Sequence, residues 1–177
     1  MIYRTGRPNE GPLPDPLAFF MTWSTYGTWL PGDERGWVEY RHGWQLPDLA
    51  RKLEAAAKMT EDACILDDEQ RGLVERTISE HCDKRRWELF AVNCRTNHLH
   101  IVVGAHREPD EMRSQFKAWC TRRLKELDAQ RAETASTGTV REKWWAERGS
   151  RRYVNDKASL AAAIAYVTEG QDGPRAH

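Results

Sequence analysis

The sequence predicts an α+β domain built on an antiparallel sheet, and three observations carry that expectation. Two β-branched and aromatic runs, Trp87–Cys94 and His98–Val103, are joined by only Arg95-Thr96-Asn97, a polar connection suited to a hairpin. Apolar residues at helical spacing lie on each side of it, Leu73, Val74, Thr77, Ile78, His81 and Cys82 before, Met112, Phe116, Trp119, Cys120, Leu124 and Leu127 after. A strand-like run, Ala18–Tyr26, precedes the first helix, and short strand-like runs over Lys143–Ala146 and Arg151–Val154 follow the second. Strand, helix, strand, strand, helix, strand is the order of a ferredoxin-like domain, whose antiparallel sheet carries helices on one face. The opposite face is left for ligand groups, a partner or a last helix.

The elements follow from local signals. Residues 1–17 read as a flexible N-terminal arm, since Gly6, Pro8, Gly11, Pro12, Pro14 and Pro16 oppose regular structure. Residues 18–177 then read as a single domain. Pro31-Gly32 turns the chain after the first strand, and residues 36–67 form an insertion at the domain edge with one short helix over Leu49–Lys58. Asp67 with Gln70 three residues on is a helix-starting pair. Ala132–Val140 reads as a Thr/Ser/Gly-containing link, and Asn155 or Asp156 caps a last helix that reaches Thr168.

Composition narrows the function classes. The chain has 177 residues, 40% hydrophobic and 31% charged, which is enough for a packed core and unlike a disordered segment. No apolar run approaches the roughly 18 residues of a membrane span, and no signal-like apolar stretch follows Met1, so a cytoplasmic protein without membrane contact is expected. Cys64, Cys82, Cys94 and Cys120 show no paired spacing, which excludes a zinc knuckle and points to reduced, packed thiols. Net charge is zero, yet between Glu111 and Tyr153 eleven Lys/Arg face six acids, a local excess of +5. That asymmetry allows a basic face, with Lys117, Arg122, Arg123, Lys143, Arg151 and Arg152 as candidates for phosphate contacts. Of the eight tryptophans, Trp119 reads as core, and one of Trp144 and Trp145 could stack on an unpaired base.

The chemistry concentrates in two places. In a strand, His98 and His100 share one face while Leu99, Ile101 and Val103 enter the core, so the two imidazoles can ligate one metal ion. In the last helix Leu160, Ile164 and Val167 form a narrow apolar stripe, and Tyr166 lies roughly 120° from its centre at 100° per residue. A phenol so presented, with Glu169 and Gln171 as nearby oxygen donors, could act as a nucleophile. No phosphate loop, dinucleotide fingerprint or Ser-His-Asp set competes.

The run Asn97-His98-Leu99-His100-Ile101-Val102-Val103, a basic helix, Lys143-Trp144-Trp145 and a terminal helix with Tyr166 together resemble the single-tyrosine HUH transposases. These comprise insertion-sequence transposases and relatives associated with repetitive extragenic palindromes. The run from Met21 to Asp33, with Thr25-Tyr26-Gly27-Thr28-Trp29-Leu30-Pro31-Gly32-Asp33, also looks like a segment of one branch of that family. The resemblance implies the ferredoxin-like fold, Mg²⁺ or Mn²⁺ held by His98 and His100, and Tyr166 as the nucleophile that forms a covalent 5′-phosphotyrosine. It further implies single-stranded DNA, with hairpin ends, as partner, a homodimer, and a bacterial, cytoplasmic protein acting on chromosomal or plasmid DNA. One position departs from the family pattern. Four residues after the tyrosine the family carries Asn or Gln as third ligand, and here that position is Gly170. Gln171 is the favoured substitute, because glycine can end the helix and swing the amide back, with Glu169 the alternative. A DNA-hairpin-binding protein without cutting activity, and a zinc hydrolase using His98 and His100, are the competing readings.

Overall fold

A computed structural model describes residues 16–39, 41–135 and 140–169. Its elements are β1 (Ala18–Ser24), β2 (Trp37–Glu39), β3 (Gly43–Gln45), α1 (Leu49–Ala57), α2 (Asp68–Arg85), β4 (Glu88–Cys94), β5 (His98–Gly104), α3 (Pro109–Ala135), β6 (Ser150–Val154) and α4 (Lys157–Thr168). The main sheet has the order β4-β5-β1-β6 with every neighbouring pair antiparallel. With β2, β3 and α1 set aside as an excursion, that is the ferredoxin-like arrangement the element order predicts.

Local chemistry sets the boundaries. α2 opens on a full capping box, in which the Asp67 carboxylate accepts from the Gln70 backbone and the Gln70 side chain accepts from the Asp67 backbone. Asp68 and Glu69 sit at its positive end and Lys84 and Arg85 at its negative end. It stops where Arg86 takes a left-handed conformation, φ 57°. Asp156 caps α4 by accepting from the Ser159 backbone at 2.7 Å.

Both sheet faces are covered, unequally. Met21, Trp23, Leu99 and Ile101 point to the face where Val74, Ile78 and Cys82 of α2 and Met112, Phe116, Cys120 and Leu124 of α3 complete the main core. On the other face Ala18, Ala91, Val102 and Val154 pack against Ala163 and Val167 of α4, with Leu160 and Ile164 partly buried beside them. The apolar stripe foreseen in the last helix is thus the side laid on the sheet. The excursion returns to the body through Cys64 and Leu66, both buried in the main core, with their amides donating to Tyr26 and Thr96 carbonyls.

Several expectations need correction. Trp119 is 42% exposed and not core: it precedes Cys120 on α3, about 100° off the buried stripe, and carries the Arg122 guanidinium on its ring. Leu127 is only half-buried. The stretch from Ala132 to Ala135 continues α3 and is no link; the Arg131 guanidinium ties this last part of the helix to Asp67 and Glu69 at the start of α2. Residues 136–139 of that span, the arm over 1–15, and Gln171 lie outside the described residues. Lys143–Ala146 is no strand but one bridge, Trp145 opposite Thr25. The chain leaves that pairing because Lys117 draws the carbonyls of Ala146, Glu147 and Arg148 toward α3, at 2.7, 3.1 and 3.3 Å. It rejoins the sheet through Gly149, where a Cβ would stand 2.5 Å from the Thr22 carbonyl oxygen.

Candidate active site

The face opposite α2 and α3 is apolar under α4 and polar beyond it. Strand register assigns the polar part: His100 pairs with Thr22 on β1 and with Asn93 on β4, Thr22 pairs with Ser150 on β6, and His98 pairs with Ser24. Cross-strand partners share a face, so these six side chains form one polar field beside the buried Val102. α4 runs alongside it and contributes Tyr166.

Four rings meet at the boundary. His98 and His100 lie edge to face with centroids 4.8 Å apart. Tyr166 stands edge-on to His100 at 5.5 Å and to Phe20 at 5.9 Å, and Phe20 stacks on His100 at 5.6 Å. Phe20 thereby fixes both the imidazole and the phenol. Tyr166 is 36% exposed, whereas His100 is 2% exposed, so the tyrosine stands at the solvent side of the cluster.

Each imidazole is held through the same nitrogen. His100 Nδ1 lies 2.7 Å from Thr22 Oγ1, and His98 Nδ1 lies 2.7 Å from Asn97 Oδ1. With Nδ1 engaged on both rings, Nε2 is the nitrogen each presents to a ligand, the usual way oxygen partners orient metal-binding histidines. Burial, with the His98 and Arg95 charges adding to it, pushes the His100 pKa down to about 3. The ring is therefore neutral at physiological pH, the form that donates a lone pair to a metal.

That depression has a stability consequence. An unfolded histidine takes its proton near pH 6.5, and folded His100 does not until about 3. The unfolded chain binds more protons between those values, so the contribution is intact above about 6.5 and is lost as pH falls, at up to about 1.4 kcal/mol per unit. His81, whose pKa burial also lowers, acts in the same direction. Urea unfolding of the metal-free protein at pH 7 and pH 4.5 should show the loss, and His100→Gln should flatten it. Equal pH slopes in parent and variant would exclude His100 as its source.

Two imidazoles are thus oriented side by side on one sheet face. Among the described residues no group of three His, Cys, Asp or Glu side chains comes together around a metal position. Glu169 is the C-cap of α4, at the end of the helix that carries Tyr166. The cysteines play no part, for all four are buried and burial raises each thiol's pKa.

The basic candidates divide between the two sides of the sheet. Arg152 pairs with Phe20 and holds its guanidinium over that ring at 5.3 Å, on the face of the histidines. Arg151 pairs with Met21 on the opposite face and bonds Asp110 at 2.6 Å. Arg122 and Arg123 belong to α3, on the far side from Tyr166, and bond Glu126 at 3.1 Å and Glu80 at 3.5 Å. Lys117 is committed to three loop carbonyls, and burial pushes its pKa down to about 8. Lys143 lies over the Tyr26 ring at 5.4 Å, at a shallow cleft that Trp145 also lines. The structure does not gather these six into one basic face, and only Arg152 shares the face of the histidines.

Sequence reasoning passed over Thr22, Asn97, Phe20 and Arg95. Asn97 could have been read from its place directly before His98 in the hairpin. Thr22 and Phe20 needed the strand register, which no local pattern in β1 reveals.

No family model matches the chain, and no curated protein matches it. Among solved structures it is similar to a REP-associated tyrosine transposase bound to a REP hairpin, at 9% identity and a TM-score of 0.48 over 92% of this chain and 70% of that one. It is also similar to a candidate transposase from Deinococcus radiodurans R1, at 15% identity and a TM-score of 0.47 over 92% of this chain and 95% of that one.

Proposed function

We propose that this protein is a metal-dependent nuclease and strand-transferase for single-stranded DNA, of the single-tyrosine HUH transposase type. Tyr166 is the nucleophile, and His98 and His100 are metal ligands. The observation that carries the reading is the convergence of Tyr166 with the two oriented imidazoles on one sheet face.

A phosphodiester repels nucleophiles because it is an anion, and a bound Mg²⁺ or Mn²⁺ would withdraw that charge and fix the phosphate. The remaining work falls to side chains of this chain. Thr22 and Asn97 hold the imidazoles with Nε2 outward. Phe20 holds the Tyr166 ring against His100, so the phenol approaches a phosphate at the site from one direction, as in-line displacement requires. Arg152, over the Phe20 ring, adds positive charge to the same face. Tyr166 Oη forms a bond to phosphorus while the bond from phosphorus to the 3′ oxygen breaks. The phenolic proton passes to solvent, and the 3′ oxygen leaves as a hydroxyl after taking up a proton. The 5′ side remains esterified to Tyr166, and a 3′-hydroxyl of another strand reverses the step without an energy source. The third ligand falls to Gln171 or Glu169.

The full chain incubated with labelled hairpin-ended single-stranded DNA and Mn²⁺ should give a product that keeps its label on the protein after denaturation. Tight binding with no such product would favour a hairpin-binding protein that does not cut.

Binding should follow the face on which the charges stand. Arg152→Ala should weaken single-stranded DNA binding and lower the log–log salt slope by about 0.7 for the lost phosphate contact, while Arg122→Ala with Arg123→Ala should leave the slope unchanged. A drop confined to the α3 double variant would place the DNA on the helical side.

A further inference from the structure

Arg95 has no part in the cutting step as derived from Tyr166 and the histidines, yet it faces the same site from the other end of the ring cluster. The register that pairs Asn93 with His100 and Cys94 with Leu99 continues into the β-hairpin, where the Arg95 amide donates to the His98 carbonyl at 2.8 Å. Cys94 is buried in the main core with Leu99, so Arg95, the next residue, projects to the face of the histidines, where it is half-buried. A row of side chains then runs diagonally across the four strands of the main sheet. Arg95 is the cross-strand neighbour of His98, whose ring lies 4.8 Å from that of His100. His100 stacks on Phe20 at 5.6 Å, and Phe20 carries the Arg152 guanidinium at 5.3 Å. His98 pairs with Ser24 and Arg152 with Phe20, so three strand spacings and four residues of offset separate the arginines, roughly 20 Å at the backbone. Two inward-leaning guanidinium groups can therefore bracket a phosphate held at the centre of the row.

Tyr166 decides which arginine serves which part of the DNA. Its ring meets His100 and Phe20, at 5.5 and 5.9 Å, and so stands on the Arg152 half of the row. In-line displacement puts the leaving 3′ oxygen opposite the attacking phenol, which is toward His98 and Arg95. We propose that Arg95 binds the backbone phosphate on the 5′ side of the cut, in the segment that leaves with the 3′-hydroxyl, while Arg152 binds the phosphate on the 3′ side, in the segment esterified to Tyr166. The inference rests on the nuclease reading and adds a direction to it: the DNA crosses the sheet from β4 to β6 in the 5′ to 3′ sense. A guanidinium suits this task, because it stays charged and offers paired N–H donors to phosphate oxygens. The released end carries only a neutral hydroxyl, so its upstream phosphate is what Arg95 can hold, and holding it keeps that hydroxyl at the site for rejoining.

The test maps the cut position with the parent, then measures binding of hairpin-ended single-stranded DNA in Mn²⁺ on a Tyr166→Phe background, where nothing is cut. One phosphate at a time is replaced by an uncharged methylphosphonate. Neutralising the phosphate next to the cut on its 5′ side should weaken binding roughly tenfold, and Arg95→Ala should cost a similar factor on unmodified DNA. Together they should cost little more than either alone, because both remove the same contact. The methylphosphonate on the 3′ side should keep its full effect in Arg95→Ala and lose it in Arg152→Ala. Arg95→Gln serves if the alanine variant does not fold. If both methylphosphonates keep their full effect in Arg95→Ala and Arg95→Gln, Arg95 touches neither phosphate and the proposal falls while the nuclease reading stands. Coupling of Arg95 to the 3′ phosphate would overturn it too, by reversing the direction of the DNA. A parent that binds the hairpin DNA without cutting would overturn this proposal and the nuclease reading together.

Discussion

Tyr166→Phe should abolish the covalent protein–DNA product, a loss of about three orders of magnitude or more, while leaving DNA binding and Mn²⁺ uptake at parental levels. The substitution removes one oxygen and keeps the ring. Packing is preserved for that reason: the edge-on contacts of Tyr166 with His100 and Phe20 are ring contacts, and phenylalanine can make both. The Tyr166 side chain stands at the solvent side of the cluster, outside the buried core. A denaturing gel with end-labelled DNA, read beside filter binding of the same samples, separates chemistry from affinity. A full-strength adduct in Tyr166→Phe would move the nucleophile elsewhere, with Tyr153 the next to test. Cleavage that persists without any adduct would instead favour water as nucleophile and a hydrolase built on His98 and His100.

What the sequence made legible divides by the range of the interaction. The alternation through His98-Leu99-His100-Ile101 is a property of one strand, and Leu99 and Ile101 are buried on one side with the histidines on the other. The Asp67 and Gln70 pair is equally local, as is the α4 stripe that leaves Tyr166 off the buried side. The placement of the basic residues was not legible, for the opposite reason. Periodicity tells which side of α3 is apolar, but not which face of the sheet α3 covers, so Arg122 and Arg123 could not be separated from Arg152 by pattern. Lys143–Ala146 has a strand-like composition, and the pull of Lys117 on the following carbonyls, from 29 to 31 residues away in the chain, decides its path. Trp119 shows the limit of hydrophobicity as a guide to burial, since its ring serves as a platform for Arg122 at the surface.

The histidines should respond as a graded series if they hold a metal. His98→Ala and His100→Ala should each abolish cutting and weaken Mn²⁺ binding about 100-fold or more, since each removes a ligand outright, whereas Thr22→Val keeps both ligands and frees the His100 ring to turn. Loss of such an orienting partner typically costs 10–100-fold in metal affinity, so Thr22→Val should fall about midway, and Thr22→Ser, which restores the oxygen, should recover most of it. Burial separates the ligand variants further. His98 is half-buried and its removal should leave the fold intact, while His100 is 2% exposed and packed against Phe20, so His100→Ala also opens a cavity. Unfolding of the metal-free proteins should therefore show a loss of about 1–3 kcal/mol for His100→Ala and little for His98→Ala. Added Mn²⁺ should raise the melting temperature of the parent and of Thr22→Ser, and of neither alanine variant. Alanine variants that still bind Mn²⁺ like the parent would remove the metal from this face, and the two imidazoles would then be strand residues ordered by Thr22 and Asn97 alone.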